Sequence, residues 1–147
     1  MMGRVTVIRS REPADLPACV ATMRAVHETD GYPLNWPADP VAWLTPPGTR
    51  EAWVAVDGEA VAGHAIVTDE GELSRLFVSP GRRGAGLAGE LIARARAAHG
   101  GELVLEVAND AAAAYYRRTG WIFVDAGPAD WTAPDGSPVT LRRYRSA

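Results

Sequence analysis

The chain has no lysine: all 15 of its basic side chains are arginine. No side-chain primary amine of the protein itself therefore stands ready as a nucleophile. Cysteine is nearly absent too, with Cys19 alone, which excludes an intrachain disulfide and a zinc site of the paired-cysteine kind. Cys19 lies in an apolar helical stretch with no base beside it and reads as a packing residue. None of the three histidines has metal-ligand spacing, so no metal is expected. No apolar run approaches the roughly 18 residues of a membrane span. The opening MMGRVTVIRS lacks the apolar core of a signal peptide. A reducing, cytoplasmic setting without membrane contact is the expectation. A net charge of -3 and the lack of a basic stripe argue against nucleic acid as partner.

What is present suits a soluble globular chain. Apolar residues make up 47% and charged residues 22% of 147, enough to build one substantial core without a metal or disulfide. One domain spanning residues 1–147 is expected.

RVTVIR, residues 4–9, alternates Val5 and Val7 with polar neighbours and predicts a half-buried strand. A helix should run from about Pro13 to His27 with Leu16, Val20, Met23 and Val26 on one face, the proline placed early where a missing N–H costs least. Residues 30–50 are too apolar for a linker and too rich in proline for a long helix. They predict an ordered loop with one helical turn near Pro40 to Leu44. AWVAV and AVAGHAIV, separated by Asp57 and Gly58, predict a hairpin, and a third strand, ELSRLFV, follows the turn at Asp69 to Gly71. Pro80 and Gly81 stop it. A helix is expected from about Gly86 to His99, closed by Gly100 and Gly101. ELVLEV, nearly continuous in apolar residues, predicts a central strand buried on both faces. A helix over about Ala111 to Thr119, a strand opening at WIFV and a last strand VTLRRYR complete the order. The class is α/β, with a mixed, mostly antiparallel central sheet flanked by helices.

RRGAGLAGEL, residues 82–91, holds two patterns. Gly84, Gly86 and Gly89 spell the dinucleotide fingerprint, while Arg83, Gly86 and Ala88 spell R-x-x-G-x-A. A dinucleotide turn follows its strand directly and sits among repeated β-α units. Here Ser79, Pro80, Gly81 and two arginines intervene, and only one clear β-α-β unit surrounds the loop. Under either label, successive glycines and a helix start present main-chain N–H donors to a phosphate. A tight strand-to-helix turn without ligand is the plain alternative.

The loop and the later stretch NDAAAAYYRRTGW together resemble the GNAT superfamily of N-acetyltransferases. Arg83, Gly86 and Ala88 stand at the positions of the family's pyrophosphate loop, and Asn109, Ala112, Tyr116, Gly120 and Trp121 fit the spacing of its later motif, with Trp121 where phenylalanine is commoner. The resemblance implies acetyl-CoA as cosubstrate and a sheet whose fourth and fifth strands splay apart. It implies main-chain pairing of Phe77 and Val78 with the pantetheine arm, and pyrophosphate held by Arg82, Arg83, Gly84, Ala85, Gly86, Leu87, Ala88 and Gly89. Gly89 is read as a close-packing position on the helix's first turn. Asn109 and Ala112 would touch pantetheine, Asn109 with helix capping as an alternative. Tyr116 would be the general acid to the CoA thiolate, its unperturbed pKa of about 10 keeping the phenol protonated. Glu72 would be the base, with an exposed surface role equally open and Glu106 and His64 as runners-up. Asp30, Tyr32 and Trp36 would hold a cationic amine by charge and stacking, or else form a minor hydrophobic core. The acceptor implied is a small-molecule amine, and members are often homodimers. A non-catalytic acyl-CoA sensor of the same fold and a nucleotide-binding regulator are the competing functions.

Overall fold

The structure, a computed structural model, describes residues 6–147. Four strands form an antiparallel sheet in chain order: β1 (Val7–Ser10), β2 (Thr49–Asp57), β3 (Ala60–Thr68) and β4 (Leu73–Val78). Three more form a second antiparallel sheet, in which β7 (Pro138–Arg145) lies between β5 (Val104–Val107) and β6 (Ile122–Thr132). Four helices accompany them: α1 (Leu16–Asp30), the short α2 (Pro40–Trp43), α3 (Leu87–His99) and α4 (Asp110–Arg118). A 3-10 turn at Pro13–Asp15 leads into α1. The expected order of elements is therefore present, and the mixed α/β architecture with an antiparallel sheet is as expected.

The two helical layers have separate cores. Cys19, Met23 and Val26 of α1 pack on Val54, Val61 and Phe77, with Leu16 and Val20 at the margin. Leu91, Ile92 and Ala95 of α3 pack with Trp53, Ala65, Val67, Leu105, Tyr116, Trp121 and Tyr144. Each wholly buried leucine or methionine contributes roughly 1.5–3 kcal/mol, so the two faces of the first sheet share the work of holding it. Cys19 is a wholly buried member of the first core, and burial pushes its thiol up to about 12; it packs and does not react.

Two expectations are corrected. In β1 it is Ile8 that packs on the core, whereas Val7 is half exposed. Its period-2 pattern was read in the wrong register, and Val5 lies outside the described residues. ELVLEV is not a central strand buried on both faces. Leu103 and Leu105 are buried in the core but Glu106 faces outward, so one face of β5 is covered; along its edges it pairs with β7 and meets β4 at the single bridge Glu72–Val104.

β4 carries the one non-glycine residue with positive φ among the described residues. Arg75 has φ of 52°, where the pairing of β3 with β4 shifts register between His64 and Ile66. The bulge adds a residue on β4 and re-aims its side chains.

Candidate functional site

β4 leads into the glycine loop through a 3-10 turn, Pro80–Arg82. Gly84 and Gly86 have φ of 82° and 77°, left-handed values that disfavour any side chain. Gly86 is the N-cap of α3 and supplies no side-chain cap, so the first main-chain N–H groups of the helix, at Leu87, Ala88 and Gly89, have no intrahelical acceptor. Gly89 is corrected here. A Cβ on it would meet nothing within 4 Å, and the residue is exposed; it does not serve close packing but leaves bare space over the amide donors. Leu87, by contrast, is buried and anchors the loop to Ala55, Ala62 and Val78. Ala85 is exposed and Ala88 half-buried.

The two arginines of the loop are already engaged. Arg82 donates to Asp57 at 2.5 Å and to the Thr6 hydroxyl. Arg83 pairs with Asp30 at 2.5 Å and donates twice to the Val78 carbonyl, from Nε at 3.1 Å and Nη2 at 3.0 Å. Their charge is thus partly neutralised, which leaves the main-chain donors and the helix dipole as the anion-attracting part of the loop. The Val78 carbonyl thus already accepts from Arg83. Asp30, at the end of α1, is paired with Arg83.

Tyr116 projects from α4 into the second core. Its ring is buried, 7% exposed, with Trp121 edge-on at 5.5 Å and Tyr115 at 5.3 Å. Burial pushes its phenol well above the usual tyrosine range, so it stays protonated at neutral pH. The hydroxyl has no hydrogen-bond partner in the described chain, yet it is not among the sealed, unpartnered polar atoms. Asn109 caps α4, accepting from the Ala112 N–H at 3.0 Å. The capping alternative is realised, and its amide NH2 is left over.

Glu72 begins at the bridge to β5 and makes no side-chain hydrogen bond or ion pair within the described chain. Burial first, and then the neighbouring Glu106, raise its carboxyl above the ordinary glutamate value, against the pull of Arg75. Of the alternatives, Glu106 lies near Arg143 at 3.7 Å. His64 is wholly buried, stacked on Phe77 at 5.1 Å, and its imidazole is pushed down to about 4 by burial. It is held at both nitrogens, by Arg11 and by the Arg75 carbonyl, each at 2.8 Å, and so has no free position to take a proton.

The loop between α1 and α2 forms the remaining wall. Tyr32 meets Trp43 edge-on at 6.2 Å, and burial pushes its phenol up to about 12, with the charges of Arg75 and Glu72 both acting on it. Trp36 is covered by Arg24 at 4.3 Å and tilted against His27 at 5.3 Å. Trp43 is covered by Arg75 at 3.8 Å. Both indoles already carry a guanidinium, and Tyr32, Trp36 and Trp43 adjoin the α1 core. Arg75 is the residue of this wall that the sequence did not single out. A strand arginine in LSRLFV gives no signal by composition, because the bulge that aims it exists only in the paired sheet.

A strand, a glycine turn open at a helix start, and a protonated tyrosine on the next helix define an acyl-transfer class of site. The acetyltransferase (GNAT) domain profile matches residues 48–122, half of the chain; this chain belongs to the GNAT acetyltransferase family and is an acetyl-CoA-dependent N-acetyltransferase. No curated protein matches it by sequence. Among solved structures, it is similar to a GCN5-related N-acetyltransferase from Rhodopseudomonas palustris, with a TM-score of 0.76, 16% identity, and coverage of 100% of this chain and 99% of the other. It is similar to a ribosomal-protein-alanine N-acetyltransferase from Brucella melitensis, with a TM-score of 0.70, 27% identity, and coverage of 95% and 98%. A Salmonella typhimurium protein solved with its cofactor acetyl-CoA matches with a TM-score of 0.70, 19% identity, and coverage of 96% and 92%. No described helix is long and apolar enough to cross a membrane. Among the described residues, no group of three or more His, Cys, Asp or Glu is placed to hold a metal.

Proposed function

We propose that the chain, acting as one domain, moves the acetyl group of acetyl-CoA to a primary amine of a small molecule by direct transfer, with Tyr116 as general acid and Glu72 as general base. The observation that carries this reading is the Tyr116 hydroxyl: ring buried, oxygen unpartnered, and proton held tightly by desolvation.

Acetyl-CoA supplies an activated carbonyl and a thiolate leaving group. The amine nitrogen forms the new N–C bond, the C–S bond breaks, the thiolate takes the proton of Tyr116, and the proton lost by the amine goes to Glu72, directly or through water. A carboxylate raised above the usual glutamate range is better matched to that task near neutral pH than an ordinary one. The amides of Leu87, Ala88 and Gly89 fit the pyrophosphate, since no side chain crowds Gly84, Gly86 or Gly89. The near-absence of rungs between β4 and β5 beyond Glu72–Val104 supports a splayed gap there, in which the main chain at Phe77 borders a pantetheine arm.

The name of the Brucella melitensis relative favours a protein amino terminus as the second reading of the acceptor. Calorimetry with acetyl-CoA, CoA, NAD and ATP tests the cofactor class, with acetyl-CoA and CoA expected to bind. Binding of NAD with none of CoA would sink the proposal.

A further inference from the structure

Arg75 is a half-buried cation with an unfilled valence. Its Nε donates to the Trp43 carbonyl at 2.9 Å, its Nη1 to the Ser74 hydroxyl at 3.1 Å, and its plane lies on the Trp43 ring. Its Nη2 has no partner in the described chain. Seven arginines of the described chain form ion pairs with carboxylates; Arg75 is not one of them. Arg11, the other cation around His64, also forms none, and spends its guanidinium on the Leu44 carbonyl at 2.9 Å, on His64 and on the Thr45 hydroxyl. Two partly desolvated positive charges therefore lie beside His64 with no carboxylate in ion-pair contact among the described residues, and Asp30 of the loop wall is spent on Arg83.

A desolvated charge without a counter-ion is costly, and a bulged backbone position at φ of 52° adds to the cost of placing it there. The guanidinium is pinned on three sides by Trp43 and Ser74. The Nη2 edge stays free, and Tyr32 meets the same Trp43 ring edge-on at 6.2 Å, so the two groups border one stretch of wall, with Glu72 three residues before Arg75 in the chain. Tyr32 is a protonated hydroxyl with no hydrogen-bond partner in the described chain, and so is a second donor along the same wall.

Resting on the acetyltransferase reading above, the geometry points to an acceptor that carries a carboxylate next to its amine, a free amino acid in chemical class. Its carboxylate is taken by Arg75 and the Tyr32 hydroxyl, which turns its amine toward Glu72 and Tyr116. The transfer is that of the preceding section: the amino nitrogen gains the acetyl carbon and gives up its proton, and the thiolate leaves with the Tyr116 proton. A peptide amino terminus has an amide in place of the adjacent carboxylate and leaves Arg75 unpaired.

The test is thiol release from acetyl-CoA with a panel of L-amino acids, their primary amides, the matching decarboxylated amines, and dipeptides with the same first residues. At least one acid should exceed its amide and dipeptide by roughly 10- to 100-fold in kcat/KM, the worth of one or two charge-assisted hydrogen bonds. Arg75→Gln should collapse that ratio toward unity, and Arg75→Lys should restore it only in part, since an ammonium lacks the fork. Acetyl-CoA affinity measured by calorimetry should stay the same in both variants. Amides or dipeptides that match or exceed the acids in the wild type, or a ratio that survives Arg75→Gln, would overturn the inference. So would a protein that binds acetyl-CoA and acetylates amines or peptides but no acid. Failure of the wild type to bind acetyl-CoA would strike the acetyltransferase reading itself, and this inference with it.

Discussion

The imidazole of His64, on β3, spans from the Arg11 guanidinium to the main-chain oxygen of Arg75, on β4, at 2.8 Å to each. Arg11 can only donate, so Nε2 accepts and Nδ1 carries the proton that goes to the Arg75 carbonyl. One neutral tautomer thereby ties the bulge of β4 to the strand beside it, and Arg75, at the bulge, lies over the Trp43 ring. A protonated His64 would confront Arg11 with a second positive charge at hydrogen-bond distance.

This pairing gives a stability prediction with a definite sign. Burial depresses His64 to about 4 in the folded chain, against about 6.5 for a free histidine. The neutral form is the one the fold accommodates, so its contribution is fully present above about pH 6.5 and is lost as pH falls toward 4. Denaturant unfolding between these limits should show wild type losing roughly 2–3 kcal/mol more than His64→Gln. Equal slopes with pH would remove the assignment.

Tyr116→Phe removes a hydroxyl with no hydrogen-bond partner among the described residues and keeps the ring that Trp121 and Tyr115 pack against. Turnover should fall about 10²-fold or more, with acetyl-CoA affinity and thermal stability nearly unchanged. A variant as fast as wild type would take the proton-donating role away from Tyr116.

Gly86 and Gly89 should respond oppositely to alanine. Gly86 sits at φ of 77°, so Gly86→Ala should destabilise by about 1–2 kcal/mol. Gly89 has ordinary helical surroundings and open space, so Gly89→Ala should stabilise by about 0.5–1 kcal/mol. Gly89→Glu, placing bulk and negative charge over the free amides, should weaken acetyl-CoA binding measured by calorimetry without unfolding the protein. Undiminished affinity in that variant would place the pyrophosphate elsewhere.

Glu72 has a carboxyl raised by burial and by Glu106. A raised carboxyl favours the folded state in its protonated form, so its contribution is present at low pH and declines as pH rises through the folded pKa. Glu72→Gln should therefore be at least as stable as wild type at neutral and alkaline pH, while kcat falls and the acidic limb of the kcat/KM profile disappears. Retention of that limb would point to another base.

Much of the architecture was legible because its signals are local. Gly100, left-handed at φ of 79°, ends α3 as the paired glycines predicted; Pro40 opens the one helical turn of α2; Asn109 caps α4. Each of these acts within a few residues, where backbone sterics alone decide. The register of β1 was not legible, since Val7 and Ile8 are equally apolar and the choice between them belongs to the sheet above.

For the candidate site, the sequence by itself determined the glycine loop, because φ-permissive residues before a helix act locally, and its resemblance to the family singled out the tyrosine of α4 at its offset from a capping asparagine. Only the tertiary structure decided where the charges go. Asp30 and Arg83 lie 53 residues apart and meet at 2.5 Å, and Arg75 reaches Trp43 across 32 residues. Ion pairing and stacking of this kind depend on distances between elements, which the chain acquires only when two helical layers close on one sheet.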